Sequence, residues 1–129
     1  MNKYMNLIGV KARKASERKI NTQIKNRVLK SYEQLLEKEK NSILKGNSND
    51  IKFAKKKRLK ENLINRLQIN EKKIKSIRNS INKIIKLKDP VNVTLEKWSR
   101  PNGLKIKRVS IPIGVIGVIY ESRPNVTSD

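Results

Sequence analysis

The residues of this chain best suited to chemistry form a short polar segment near its end, directly after an uncharged apolar run. The run spans residues 111–120, and the polar segment presents a phenol, an acid, a hydroxyl, a cation, a proline and an amide: Tyr120, Glu121, Ser122, Arg123, Pro124 and Asn125. Open α/β sheets bind ligands at the carboxyl ends of their strands. An Asn amide there can stabilise a developing oxyanion. We therefore treat this turn as the candidate site, with an ordinary strand-to-helix loop as the alternative.

The two glycines of the apolar run do not form a phosphate-binding motif. Gly114 and Gly117 lack the third glycine of the dinucleotide fingerprint, and no Gly-Lys-Ser/Thr sequence follows them. Within a strand they indicate close packing against another backbone. The run does not alternate, which is typical of a parallel strand covered on both faces. Too few residues follow for the crossover to a parallel neighbour, so the sequence looks like the front of a larger α/β domain.

Composition excludes several classes of site. The chain of 129 residues has no Cys and no His. It therefore lacks thiol nucleophiles, disulfides, the usual zinc ligands and the usual general base, and we expect no metal. No apolar run reaches the roughly 18–20 residues of a membrane span, and the amino terminus lacks a signal-peptide core. We expect a cytoplasmic protein with no membrane partner.

The net charge of +21 is concentrated in the front of the chain. Residues 1–88 carry 26 Lys and Arg against 7 Asp and Glu, whereas residues 89–129 carry 6 against 4. Such a surface favours nucleic acid, and a small basic helical nucleic-acid-binding protein is our alternative hypothesis. However, the 23 Lys outnumber the 9 Arg, and residues 55–58 form a single basic cluster. Compositional drift explains the charge more simply, so no nucleic-acid partner is expected.

Apolar spacing predicts that most of residues 1–88 is helical. The predicted helices cover about 4–14, 22–44, 50–56, 61–67 and 70–85. We predict Asn21 or Thr22 as the cap of the second helix, a break at residues 46–49, Asp50 as the cap of the third helix and Asn70 as that of the last. The predicted inward faces are Ile24, Val28, Leu35, Leu36 and Ile43 on the second helix, with Tyr32 between them, and Ile74, Ile77, Ile81, Ile84 and Ile85 on the last.

The pattern changes after Asp89-Pro90, because proline cannot continue a helix. Apolar and polar residues alternate over 91–96 and again over 104–107, with a turn signal at 99–103 between them. We predict a β-hairpin here.

Residues 114–127 closely resemble the signature of the gamma-glutamyl phosphate reductase family, also called glutamate-5-semialdehyde dehydrogenases, of the aldehyde dehydrogenase superfamily. Other segments resemble that family in the same order, namely residues 25–29, Ile43-Leu44 with Asn47 and Asp50, 65–67, 87–91, 100–104 and 108–109. The resemblance covers essentially the whole chain, but only about the first third of the family's length.

The resemblance implies an α/β fold made of N-terminal helices, a β-hairpin and the first strand of an aldehyde-dehydrogenase-like nucleotide-binding domain, truncated. Residues 1–90 would be the helical part of the cofactor domain, and 91–110 a hairpin resembling oligomerisation strands. Residues 111–129 would be the first core strand and the active-site turn, incomplete here. A homo-oligomer is implied for the full-length family; the state of this chain is left open.

The resemblance also implies an activity, the NADPH-dependent reduction of L-glutamate 5-phosphate to L-glutamate 5-semialdehyde and phosphate in proline biosynthesis. Asn125 would help form the oxyanion hole, while residues 120–124 would line the nicotinamide end of the cofactor site. The charge of Arg123 also suits an anionic group of the substrate. The family's nucleophile is a Cys, which this chain lacks, so we expect the chain alone to be inactive.

Overall fold

The computed structural model of the chain describes residues 3–18, 20–121 and 123–127. Their regular elements are α1 (Lys3–Ser16), α2 (Thr22–Lys38), α3 (Lys40–Lys56), α4 (Glu61–Leu67), α5 (Glu71–Lys86), β1 (Thr94–Ser99), β2 (Lys105–Val109) and a 3₁₀ turn (Pro124–Thr127). The chain divides into two compact units, residues 1–20 with 88–117 and residues 21–87 with 118–129. The mixed α/β class predicted from the sequence is confirmed.

We call the unit formed by residues 21–87 and 118–129 the helical unit. Its core lies between α2 and α5. Ile74 and Ile81 of α5 are only 2% and 4% exposed, and Ile77 and Ile85 are half-buried. Their spacing of three and four residues places them on one face of the helix. This confirms most of the stripe predicted on α5, although Ile84 is 52% exposed.

The buried face of α2 agrees with the predicted one only in part. Tyr32 and Leu36 are half-buried as predicted, and so is Leu29, whereas Ile24, Val28 and Leu35 are exposed. The buried face is therefore rotated about the helix axis from the predicted one. Hydrophobicity alone does not distinguish two adjacent apolar stripes, and the ion pairs of α2 with α5 add the missing constraint.

Those ion pairs centre on Arg78 of α5. Its Nε donates to Glu33 Oε1 at 2.8 Å and its Nη2 lies 2.7 Å from the same oxygen, while its Nη1 contacts Glu37. Glu33 and Glu37 lie one turn apart on α2. A planar guanidinium that binds both fixes the rotation of α2 relative to α5.

A break at Glu39 divides the predicted helix over 22–44. Glu39 ends α2 and precedes α3, with φ −93° and ψ 9°. The break predicted at 46–49 was wrong, because Gly46 and Asn47 lie inside α3, and Asp50 is likewise interior rather than a cap. The sequence rules treat Gly and Asn as local helix breakers, whereas Asn47 makes its hydrogen bonds to a distant loop.

Two predicted helix caps are confirmed. The Asn21 side chain accepts a hydrogen bond from the Ile24 N–H at 2.9 Å, and Asn70 accepts one from the Lys73 N–H at 2.9 Å. Each satisfies an amide that the helix start leaves without a partner.

The predicted hairpin is also confirmed. Strands β1 and β2 pair antiparallel, with Trp98 opposite Ile106 and a register irregularity between Thr94 and Glu96. Gly103 turns the chain with φ +82°, and its N–H donates to the Arg100 carbonyl at 2.9 Å. The two strands form a two-stranded sheet.

The strand predicted over residues 111–120 is not formed in this structure, and every side chain of the run is exposed. Ile113 is 91% exposed and Ile119 fully so. A Cβ placed on Gly114 or Gly117 would meet nothing within 4 Å, and Gly114 has φ +93°. The close packing that the glycines suggest is absent from this part of the described chain. No strand among the described residues pairs with the run, and the left-handed φ of Gly114 interrupts extended geometry.

Candidate functional site

A cleft of about 380 Å³ lies in the helical unit between α3, the loop from α4 to α5 and the segment that follows the apolar run. Its volume is within the roughly 300–1,000 Å³ of small-molecule sites. The lining residues come from all three segments: Ile43, Gly46, Asn47, Asp50, Leu67, Ile69, Tyr120, Arg123, Pro124 and Thr127.

One face of α3 forms the first wall. Ile43, Gly46, Asn47 and Asp50 are spaced by three, one and three residues, so they lie along a single side of the helix. Gly46 presents no side chain to the cleft. The wall therefore places an amide and a carboxylate next to an aliphatic side chain.

The buried carboxamide of Asn47 holds the second wall in place. Asn47 is 7% exposed. Its Nδ2 donates to the Leu67 carbonyl at 2.9 Å, and its Oδ1 accepts from the Ile69 N–H at 2.7 Å. The first bond reaches the last residue of α4 and the second reaches the loop after it, 20 and 22 residues along the chain. Because an unpaired buried polar group is costly, these two hydrogen bonds join the end of α4 and the loop after it firmly to α3.

The third wall is the turn singled out by the sequence. Pro124 opens the 3₁₀ turn, in which the Val126 N–H donates to the Arg123 carbonyl at 3.1 Å. The Tyr120 hydroxyl lies 3.2 Å from Thr127 Oγ1. Proline suits the first position of such a turn, since an N–H at that position would have no partner and proline carries none. The two hydroxyls fasten the segment before the turn to its end.

The structure places three of the sequence-predicted residues in this cleft, namely Tyr120, Arg123 and Pro124. Glu121 is exposed and does not line it. Ser122 lies outside the described residues, and so does the side chain of Asn125. The assignment of residues 120–124 to a cofactor site and of Asn125 to an oxyanion hole stays a prediction.

The two walls opposite the turn were not predicted from the sequence, which instead predicts a helix break that includes Asn47 and a helix cap at Asp50. The available signal was their spacing from Ile43, which is that of one helical face. Leu67 and Ile69 carry no chemical signal of their own, and their backbone groups are bound at the site by the Asn47 side chain.

A second cavity of about 380 Å³ lies beside α5, lined by Glu37, Lys40, Glu71, Lys72, Ile74, Lys75 and Arg78. Both of its carboxylates are paired, because Lys40 lies within 4 Å of Glu37 and Glu71. Within residues 3–18, 20–121 and 123–127, no group of three or more Asp, Glu, His or Cys side chains is placed to hold a metal ion. No helix in the same ranges is long and apolar enough to cross a membrane.

Known proteins resemble this chain closely along nearly all of its length, although no family model matches it. A gamma-glutamyl phosphate reductase of Caldanaerobacter subterraneus subsp. tengcongensis is 46% identical over 127 residues, which is 95% of this chain and 31% of the relative. One of Thermotoga petrophila is 41% identical over 122 residues, covering 91% of the chain and 29% of the relative.

A solved structure agrees. The crystal structure of gamma-glutamyl phosphate reductase from Thermotoga maritima matches with a TM-score of 0.83 and 41% identity, over 92% of this chain and 29% of that one. This chain matches the amino-terminal part of the gamma-glutamyl phosphate reductases. It spans about 30% of the length of these relatives. The alternative of a nucleic-acid-binding protein finds no support among them.

Proposed function

We propose that the chain is the amino-terminal portion of a reductase that converts L-glutamate 5-phosphate to L-glutamate 5-semialdehyde and phosphate in proline biosynthesis. The agreement with the Thermotoga maritima enzyme carries this proposal, since it joins 41% identity to a TM-score of 0.83 over nearly the whole chain. Similarity over a single motif would carry far less weight.

We assign NADPH as the hydride donor. This chain has residues suited to binding its nicotinamide end but not its pyrophosphate. Tyr120, Arg123 and Pro124 line a cleft large enough for a nicotinamide ring. The described residues contain no Gly-rich turn leading into a helix, the usual cradle of a pyrophosphate. NADPH would supply the hydride, and this chain would contribute a wall beside the nicotinamide.

Asn125 is the residue to which we assign direct stabilisation of the reacting group. A side-chain amide that donates to an oxyanion stabilises charge only where a nucleophile generates it. The nucleophilic Cys of the proposed mechanism is absent from the sequence. The 129 residues alone are therefore expected to show no reductase activity.

The remaining assignments concern assembly and location. We place the reductase in the cytoplasm, as a homo-oligomer whose contact strands include the hairpin of β1 and β2. In this chain the hairpin exposes apolar side chains, among them Leu95 and Leu104 at 56% and 55%. Exposed apolar residues of this kind suit an interface.

A chimera tests the proposed function. Residues 1–129 replace the matching segment of the Thermotoga petrophila relative, which retains the remainder of its own chain. We expect NADP⁺ reduction when the chimera is given L-glutamate 5-semialdehyde and inorganic phosphate. A control chimera carries the same segment with residues 111–127 in scrambled order. A well-folded chimera without activity, beside an active parent enzyme, would contradict the proposal.

A further inference from the structure

We propose that the α3 side of the cleft binds the amino-acid end of a glutamyl group. The Asp50 carboxylate faces its ammonium group, and the Arg123 guanidinium faces its α-carboxylate. The inference rests on the proposed function, from which it takes the glutamyl substrate. It adds a recognition role for α3, the wall that sequence analysis missed.

The charges of the cleft carry the inference. Asp50 and Arg123 are the only charged side chains among the described residues that line it. Neither forms an ion pair with the other or with a third described residue. Two unpaired charges of opposite sign in one cleft suit a ligand that carries both signs. Arg also binds a carboxylate through two parallel hydrogen bonds.

The positive charge of the rest of the chain gives meaning to the presence of both an acid and a base in the cleft. The chain has 32 Lys and Arg against 11 Asp and Glu, so a simple anion meets positive charge almost anywhere on its surface. A carboxylate in the cleft disfavours a simple anion and favours a ligand with an ammonium group. Specificity of this kind comes from repulsion as well as attraction.

The chemistry of the glutamyl group fits the pair. When its γ-carboxyl is phosphorylated, the α-ammonium and α-carboxylate are the charged groups remote from the reacting carbon. Contacts with such remote groups position the carbon for reaction. Hydride transfer also requires the nicotinamide to touch the acyl carbon. Because the turn side of the cleft is the side proposed for the nicotinamide, its α3 side would be within reach of the substrate.

The test titrates the ¹⁵N-labelled 129-residue chain with L-glutamate, glutarate and 4-aminobutyrate. Glutarate lacks the ammonium group, and 4-aminobutyrate lacks the α-carboxylate. We expect L-glutamate to shift the amide signals of cleft residues, such as Gly46, Asn47 and Ile69. Each analogue should bind about tenfold more weakly, because it loses one charge-assisted contact. Attraction to net charge alone predicts the reverse for glutarate, which carries two negative charges.

Matched variants sharpen this result. Asp50→Asn and Arg123→Gln should each weaken L-glutamate binding about tenfold, and Asp50→Asn should also abolish the preference over glutarate. Glu61→Gln and Arg66→Gln make the same charge changes on α4, outside the cleft, and should bind as the parent does. Equal binding of glutarate and L-glutamate by the parent chain would overturn the inference.

The chimera separates this inference from the proposed function. In an active chimera, Asp50→Asn should raise KM for L-glutamate 5-semialdehyde about tenfold and change kcat less than twofold. An active chimera whose KM is unaffected overturns the glutamyl site and leaves the reductase assignment standing. Selective L-glutamate binding by a chain whose folded chimera is inactive overturns the reductase assignment and supports the site.

Discussion

Asn47 holds Ile69 across twenty-two residues of sequence, through a 2.7 Å hydrogen bond from the Ile69 N–H to its buried side-chain oxygen. The amide nitrogen of the same side chain donates to the Leu67 carbonyl. One carboxamide thus satisfies an acceptor at the end of α4 and a donor in the loop that follows it. The wall of the cleft depends on this arrangement.

Asn47→Ala should destabilise the chain by about 1–3 kcal/mol, because it leaves two part-buried backbone groups without partners. Urea unfolding followed by circular dichroism at 222 nm measures the effect. Asn49→Ala is the matched control, since Asn49 is exposed on the same helix. Equal unfolding midpoints for the two variants would show that the loop is held by other contacts.

Removal of Arg78 tests the ion pairs that join α5 to α2. The Glu33 side chain is only 14% exposed, so Arg78→Met leaves it partly buried without its cation. We expect a loss of about 1–3 kcal/mol. Arg66→Met makes the same charge change at an exposed position of α4 and should alter stability by less than about 0.5 kcal/mol. The rotation assigned to α2 would lose its support if the variants unfolded together.

The core between α2 and α5 gives a third prediction. Ile81→Ala should cost about 2–5 kcal/mol, since it opens a cavity at a position 4% exposed. Ile84→Ala removes the same atoms one turn away, where the side chain is 52% exposed, and should cost less than about 1 kcal/mol. Thermal unfolding compares them. A larger effect at Ile84 would mean that α5 buries a different face.

Self-association should depend on the exposed run of residues 111–120. Ile119→Lys places a charge at a fully exposed apolar position and should lower the fraction of large species in sedimentation velocity, because charged residues block edge-to-edge pairing. Leu87→Lys adds the same charge outside the run, at a residue 68% exposed. If Leu87→Lys reduced association equally, net charge rather than the run would be responsible.

Asn125→Ala in the chimera tests the proposed oxyanion contact. We expect kcat to fall about 10²–10³-fold, the usual cost of removing one such donor, with a much smaller effect on cofactor binding. Steady-state kinetics with L-glutamate 5-semialdehyde measures it. Asn102→Ala, in the hairpin turn, is the control and should leave kcat within twofold. A similar kcat for both variants would remove Asn125 from the site.

Local features of this fold could be predicted from sequence, and features set by distant partners could not. The caps at Asn21 and Asn70, helix α4 and the hairpin turn at Gly103 depend on neighbouring residues. The face of α2 and the helical state of Gly46 and Asn47 depend on Arg78 and on the loop at Leu67. For the same reason the turn at residues 120–125 could be predicted as a site from the sequence, while the α3 wall of the cleft could not.

Residues 111–120 also bear on the fate of the chain in a cell. An exposed apolar segment without strand partners is the form of polypeptide that chaperones and proteases engage. Its exposed residues lie between the hairpin and the turn at 120–127, so one cleavage there would detach that turn from the other two walls of the cleft. We expect quality control, more than intrinsic stability, to set the lifetime of this chain when it is alone.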